Sequence, residues 1–428
     1  MKINKIYIEN FKKFEKLSVD EFDSQFNIVI GNNGFGKTSL LEAMCIGLGG
    51  YVACFNDQKT NHFTNYDIRR SVEGLGDASS NYLYHTPVSV TLDVDVKNTN
   101  VVYTRRKVSE KSTRTTIEEP IRKLNPIVEG MIQDDFSILP VLIYQGVSRM
   151  DSQKKRLKKH EFDKRVYTRS TGYFDCFSAT LNVEIIRNWI EKMEMISWCE
   201  GKEIGEYESL KLAVSTFMNN LCGHQDGHIV FDRKMNEIVY VHDLESLPLD
   251  AYSAGYKSLL WSVLDIAFRM SILNPNLKKD AYLKTPGIVM IDELDLHLHP
   301  KWQWVVIDAL KQTFPKVQFI VTTHSPILIS SSKNDKLIIF DKEEGVLYKR
   351  SAYGYEIGDV LSSVQNTSKQ VEDLKEQLNE FSKLLDNAEI AKAKKILDHL
   401  ICELGETHPE IAKAKVSLEF EELMMEDD

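Results

Sequence analysis

Nowhere in these 428 residues does an apolar run approach the 18 or so residues that a helix needs to cross a membrane. The opening residues, MKINKIYIEN, also lack the charged stretch, apolar core and small-residue cleavage site of a secretory leader. Both absences predict a soluble, cytoplasmic chain with no membrane partner. Cysteine is sparse: Cys45, Cys54, Cys176, Cys199, Cys222 and Cys402 include no C-x-x-C pair. A disulfide framework and a thiolate zinc ribbon are excluded, and thiols that pack as small apolar groups in a reducing compartment are expected. Heptad repeats do not persist anywhere long enough for a coiled coil. What the chain does have is material for a large core, because 43% of its residues are hydrophobic and its length exceeds that of one ordinary domain.

Four segments carry the chemistry: GNNGFGKT at 31–38, YSAGYKSLL at 252–260, GIVMIDELDLHLHP at 287–300 and VTTHSP at 321–326. The first has the G-x-x-x-x-G-K-[ST] pattern of a phosphate-binding loop, set between the apolar run at 26–30 and a helical run at 39–44. Gly31, Gly34 and Gly36 let the backbone curl so that successive N–H groups and the helix N-terminus face an anion. This predicts that Asn32, Asn33, Gly34, Phe35, Gly36, Lys37, Thr38 and Ser39 cradle the phosphates of ATP, with Lys37 on the β- and γ-phosphates and Thr38 on Mg²⁺. The third segment is a buried strand at 288–291 that ends in two acids, and ligands of α/β folds sit at the carboxyl ends of such strands. Adjacent carboxylates repel unless a cation or proton lies between them. Asp292 is therefore expected in the Mg²⁺ shell and Glu293 as the group that polarises the attacking water. His324, ending another strand at 319–323, is expected to hydrogen-bond the γ-phosphate. His297 and His299 stand two apart, but the other ligands of a structural zinc site are absent near them.

On these residues and on IENFKKF at 8–14, the chain resembles the ABC-type ATPases of the RecF and structural-maintenance-of-chromosomes (SMC) kind. It resembles most closely the compact bacterial ATPases of anti-phage defence, PtuA of the Septu system and the retron-associated ATPases. The resemblance spans nearly the whole chain and implies a homodimer that clasps nucleotide, the signature motif of one copy capping the γ-phosphate held by the other. Ser253, Ala254 and Gly255 match that signature, which here departs from the usual sequence at Ala254 and Tyr256. The resemblance further implies that Gln145, after the strand at 141–144, completes the Mg²⁺ and water shell, and that residues 296–299 form the loop that faces the other protomer. It also implies C-terminal helices that hold an effector, an HNH nuclease or a toxin.

The expected fold is α/β, an ABC-type P-loop head with an antiparallel β lobe, a helical lobe and a helical C-terminal extension. Residues 1–148 are assigned to the first lobe, with strands at 3–8, 88–94 and 101–108 and a mobile insertion at 55–80 near the nucleotide. Residues 149–224 form a helical, basic insertion lobe, and 225–355 the second lobe, opening with a hairpin at 228–241. The 215 positions between Lys37 and Ser253 are filled by these segments, which excludes the long coiled-coil arm of chromosome-organising relatives. Residues 356–428 show amphipathic spacing in Val371, Leu374, Leu378, Phe381 and Leu385, then Ile396, Leu397, Leu400, Ile401 and Leu404. They hold 8 basic and 18 acidic residues, a net charge equal to the −10 of the whole chain. Such a tail suits a basic protein partner better than nucleic acid. DNA or RNA contact is instead assigned to 149–169, where Arg149, Lys154, Lys155, Arg156, Lys158, Lys159, Lys164, Arg165 and Arg169 face three acids. No nuclease site is visible in the chain. The expected function is an ATPase that controls a partner nuclease or toxin, with an ATP-bound scaffold of little turnover and a RecF-like repair ATPase as alternatives.

Overall fold

Five near-continuous apolar segments become parallel strands of one sheet, because Val, Ile, Leu and Phe runs suit strands covered on both faces. These are β3 (Phe26–Gly31), β9 (Val141–Gln145), β13 (Gly287–Ile291), β14 (Val317–Thr322) and β15 (Lys336–Phe340). Closed at one edge by the antiparallel β16 (Val346–Lys349), they run in the order β16-β15-β3-β14-β13-β9. Register decides what this sheet can do: Ile291 lies opposite both Val321 and Gln145, and Thr322 lies opposite Val29. The ends of four strands therefore form one row, and the phosphate loop, the paired acids, Gln145 and His324 lie at or just beyond it. In the computed structural model the described residues are 1–73, 81–117, 121–150, 168–243, 245–341, 345–349, 351–365, 367, 372–387, 389–406 and 408–426. They divide into two compact units, Met1–Ile357 and Gly358–Asp428.

Within the first unit an antiparallel sheet has the order β2-β1-β6-β7-β8. Its strands are β1 (Lys2–Phe11), β2 (Phe14–Val19), β6 (Val88–Val96), β7 (Thr99–Lys107) and β8 (Thr116–Ile117). VSVTLDVDV alternates as a half-buried strand should, with Val88, Val90, Leu92, Val94 and Val96 inward. Helix α1 (Lys37–Val52) packs on β3 and on this antiparallel sheet, which explains why it is apolar nearly all round. The segment expected as a mobile insertion carries buried Phe55, Phe63 and Ile68 in its described part. It runs through a turn at 65–67, whose Thr64 hydroxyl donates to Asp67, into β4 (Arg70–Glu73), paired with β5 (Asn81–Tyr84). Asp67 and Arg69 return the chain to β1 by backbone bonds with Lys12 and Asn10, both 2.8 Å.

Helix α2 (Ile121–Gln133) precedes β9. The helical lobe follows as α3 (Val183–Glu200), capped by Asn182, and α4 (Gly205–Cys222); both stop at a left-handed glycine, Gly201 and Gly223. The hairpin at 228–241 gains a third strand: β10 (His228–Asp232), β11 (Glu237–His242) and β12 (Glu245–Pro248). Behind it α5 (Ala254–Leu273) is buried along almost its whole length against α3, α4 and β9. In the second unit α6 (Glu372–Asp386), α7 (Ile390–Leu404) and α8 (Pro409–Glu426) enclose Phe381, Leu385, Ala393, Leu397, Leu400, Ile411, Ala414 and Leu418. Leu374, Leu378, Ile396, Ile401 and Leu404 pack against that core, while Val371 lies outside the described residues.

One buried cation ties α1 to the antiparallel sheet. Arg105 is fully buried, and its guanidinium donates to the carbonyls of Ile46 and Asn61, the latter at 2.8 Å. Burial holds its pKa down at about 10, still charged at neutral pH. Removing a buried group that satisfies two carbonyls costs about 3 kcal/mol. Arg105→Ala is expected to lower stability by that order, read as a shift in the urea unfolding midpoint of the full chain.

Candidate nucleotide site

The loop between β3 and α1 is shaped by what cannot fit there. Gly36 stands at φ 93°, in the left-handed region, and a Cβ on it would lie 2.4 Å from the Phe14 ring. A bond from Phe35 N to Asn32 O (3.2 Å) closes the turn. Lys37 is buried and donates Nζ to the carbonyls of Gly31 (2.6 Å) and Asn32 (3.3 Å), so the loop cradles its own cation. Burial depresses the Lys37 pKa, while Asp292 and Glu293 oppose that shift.

Opposite the loop, Asp292 is 1% exposed and held on both oxygens. Thr38 Oγ1 donates to Oδ2 (2.7 Å), and Thr322 Oγ1 donates to Oδ1 (2.5 Å). The same Thr322 oxygen accepts from Glu293 N at 2.8 Å. Glu293 sits at φ 47°, a left-handed conformation that costs a non-glycine residue about 1 kcal/mol or more. Arg149 helps to hold it there: its guanidinium donates to Asp292 O (2.8 Å) and Glu293 O (3.1 Å), and its Nε to Ser258 Oγ (3.0 Å) on α5. Burial, and to a lesser degree Lys37, holds the His324 pKa below its usual value, leaving a neutral imidazole at pH 7 that can hydrogen-bond a phosphate oxygen.

Asn33, Gly34, Gly36, Lys37, Thr38, Ser39, Asp292, Glu293 and His324 line one open cleft of about 250 Å³. Two cations that motif reading passed over, Lys12 and Lys13, line it as well. Lys13 donates to Gly34 O and lies 5.0 Å from the Phe35 ring centroid; Lys12 pairs with Glu42. Their sequence signal is the pair of lysines within IENFKKF at 8–14. The donor set fits a nucleotide with Mg²⁺: a loop of N–H groups, three lysines, and a hydroxyl and a carboxylate already in contact. Gln145 is placed differently. It is fully buried, donates Nε2 to Ser262 O (3.2 Å) and does not line the cleft. A larger cavity of about 560 Å³ beyond the C-terminal end of α1, lined by Cys54, Asp57, Glu129 and Arg169 among others, holds none of the residues expected at the nucleotide.

The signature stands apart from the phosphate loop. Ser253 stands at the N-terminal end of α5 and, with His297, Leu298, His299, Lys301 and Trp302, lines a second open cleft. Ala254 and Gly255 begin the helix, and a Cβ on Gly255 would lie 2.0 Å from His297 O. This backbone approach couples the signature turn to the loop at 296–299, and glycine alone permits it. The basic run of 149–169 divides: Arg149 braces the site, and Arg169 donates to the carbonyls of Leu273 (2.9 Å), Asp134 (3.1 Å) and Ser137. Lys154, Lys155, Arg156, Lys158, Lys159, Lys164 and Arg165 lie outside the described residues. Gly255→Ala must move α5 or the 296–299 loop by about 1 Å, a misplacement that costs up to roughly 100-fold in rate. Expected is a tenfold or greater loss of ATP turnover with nucleotide affinity at the phosphate loop retained, checked by kcat and equilibrium binding.

Residues 5–211 match the model of an AAA domain, and residues 246–330 match that of an AAA domain described as a putative AbiEii toxin of a type IV toxin–antitoxin system. The chain is similar to the "Retron Vc95 probable ATPase" of Vibrio cholerae serotype O1 biovar El Tor, 26% identical over 80% of this chain and 74% of that protein. It is 24% identical to the "Retron Ec83 probable ATPase" of Escherichia coli over 76% of this chain and 69% of the other. Similarity to the "Septu protein PtuA" of Bacillus mycoides (strain KBAB4) is 23% over 90% of this chain, which spans 48% of that longer protein. Among solved structures, an SMC head bound to the C-terminal winged-helix domain of ScpA superposes with a TM-score of 0.51 at 17% identity, over 82% of this chain and 98% of the other. With its AAA domains, phosphate loop and SMC-head fold, the chain is a P-loop ATPase homologous to the retron ATPases and Septu PtuA.

Proposed function

We propose that this chain binds ATP with Mg²⁺ in the 250 Å³ cleft and hydrolyses it as a homodimer. The observation that carries this reading is the separation of phosphate loop and signature into two open clefts of one chain. One cleft offers lysines, hydroxyl and carboxylates. The other offers the N-terminus of a 20-residue helix, which favours negative charge, headed by Ser253. Neither is a complete phosphate site, and a second copy supplies what each lacks.

In this reading Lys37 exchanges its two loop carbonyls for β- and γ-phosphate oxygens. Thr38 and Asp292 hold Mg²⁺, which supplies neutralisation of phosphate charge. Glu293 accepts the proton of a water whose oxygen bonds to the γ-phosphorus as the bond to the β–γ bridging oxygen breaks, yielding ADP and phosphate. Neutral His324 donates to a γ-oxygen. Ser253 and Gly255 of the other protomer cap the same phosphate.

Similarity to a retron ATPase and to Septu PtuA supports a place in an anti-phage defence complex. In this reading the nucleotide state of the dimer governs a partner nuclease or toxin. The acidic helices of Gly358–Asp428 suit a basic surface of that effector. Light scattering with and without ATP and Mg²⁺ tests the clamp. Glu293→Gln is expected to accumulate an ATP-bound dimer while turnover falls roughly 10²–10⁴-fold, since binding survives and proton transfer does not. Lys37→Ala is expected to lose nucleotide binding and the ATP-strengthened dimer together. A monomer under every condition would sink the composite site. An effector held equally with and without nucleotide, with negligible turnover, would favour the static scaffold.

A further inference from the structure

A second cluster of chemistry lies at the junction of α4 and the β10–β12 sheet. His224, just past the end of α4, stacks on His242 at the end of β11, with ring centroids 4.2 Å apart and planes within 13°. Asp243 follows at φ 47° in the turn to β12. One donor atom from each of His224, His242 and Asp243 lies within 4.8 Å of the others. His242 Nδ1 is buried with no hydrogen-bond partner, and at 3.6 Å from Asp243 Oδ2 the carboxylate is too far to supply one. Tyr240, two residues earlier on the same face of β11, places its hydroxyl 3.1 Å from His224 Nδ1. That is the outer contact by which a ligating imidazole is commonly oriented, with the other ring nitrogen left for a metal.

We propose that His224, His242 and Asp243 bind a transition-metal ion of the Zn²⁺ class, tying the end of α4 to the β11–β12 turn. Two imidazoles and a carboxylate are a ligand set that Zn²⁺ accepts, with water in the fourth position. Tetrahedral ligands at about 2.0–2.2 Å from the ion stand roughly 3.4 Å from one another, so the cluster contracts slightly and the stacked rings tilt open as the ion enters. The buried nitrogen thereby gains the partner it lacks. The site also abuts the signature. Tyr240 packs 6.4 Å from Tyr252 and 6.5 Å from Tyr256, the two rings that flank Ser253–Gly255 and stack on each other at 4.3 Å. Cys222, at the end of α4, reaches the Tyr256 hydroxyl at 3.7 Å. An ion here stiffens the wall against which the signature turn rests.

The test uses the full chain, stripped with a chelator, dialysed against Zn²⁺ or Co²⁺ and measured for bound metal by elemental mass spectrometry. Expected are one equivalent of Zn²⁺ per chain and, with Co²⁺, the strong visible absorption of a four-coordinate site. Both are lost in the His224→Gln, His242→Gln double variant and kept in His297→Gln, His299→Gln, which removes the other histidine pair. Asp243→Asn, a change at an exposed side chain, is expected to weaken Zn²⁺ at least tenfold in competition with a chromophoric chelator. Failure of the wild-type chain to retain a stoichiometric ion, or retention of it by the His224/His242 double variant, would overturn the proposal. The readout is metal content, so it stands or falls independently of ATP turnover.

Discussion

The nucleotide end of the molecule depends on one buried carboxylate. Asp292 is removed from water, where a charge without partners would cost several kcal/mol, and the two threonine hydroxyls on its oxygens offset that cost. Each hydroxyl comes from a different element: Thr38 from the first turn of α1, and Thr322 from the end of β14. Thr322 also takes the Glu293 N–H, and Arg149 takes the carbonyls of both acids and reaches α5 through Ser258. Through the Asp292 carboxylate the phosphate loop and the two neighbouring strand ends are set in mutual position, and Arg149, on the carbonyls of both acids, adds the signature helix. Bonds shared in this way are coupled, so loss of one member loosens the rest by more than its own contribution.

That bracing explains why Glu293 holds a left-handed backbone. The turn that starts at the end of β13 brings the Glu293 side chain to the cleft, and the bonds on its N–H and carbonyl offset the conformational cost. At the opposite end of the same segment, His297 at φ 62° presents its carbonyl to Gly255. The short stretch from Asp292 to His299 therefore contributes to both clefts.

Charge is distributed unevenly. The −10 of the whole chain equals the charge of residues 356–428, which leaves the rest balanced. In the second unit the apolar side chains of α6, α7 and α8 fill the interior, and pairs such as Lys394–Glu422 and Lys413–Glu410 lie partly exposed outside it. Exposed pairs of this kind contribute little to stability. The surplus acid gives this unit a long-range negative field instead.

Much of the architecture was legible in the residues alone. Apolar runs at 26–30, 141–144, 288–291 and 319–323 became parallel strands, the alternation at 88–94 became a half-buried one, and the spacing from Leu374 to Leu404 became packed helices. Each is a local signal, a period or a run, that tertiary contacts only had to satisfy. The phosphate loop and the paired acids were legible for the same reason, since their chemistry is written in consecutive residues. Sheet register, the burial of Arg149, the hydroxyl of Thr322, the direction of Gln145 and the meeting of His224 with His242 were not. Each depends on which distant segments become neighbours, and a strand shifted by one residue would turn Thr322, Gln145 or His242 to the opposite face. The sequence by itself determined that this chain carries a phosphate-loop motif and builds an α/β head; only the tertiary structure decided which carboxylate is braced, which cations reach the cleft, and that loop and signature line separate clefts, because those facts rest on long-range packing.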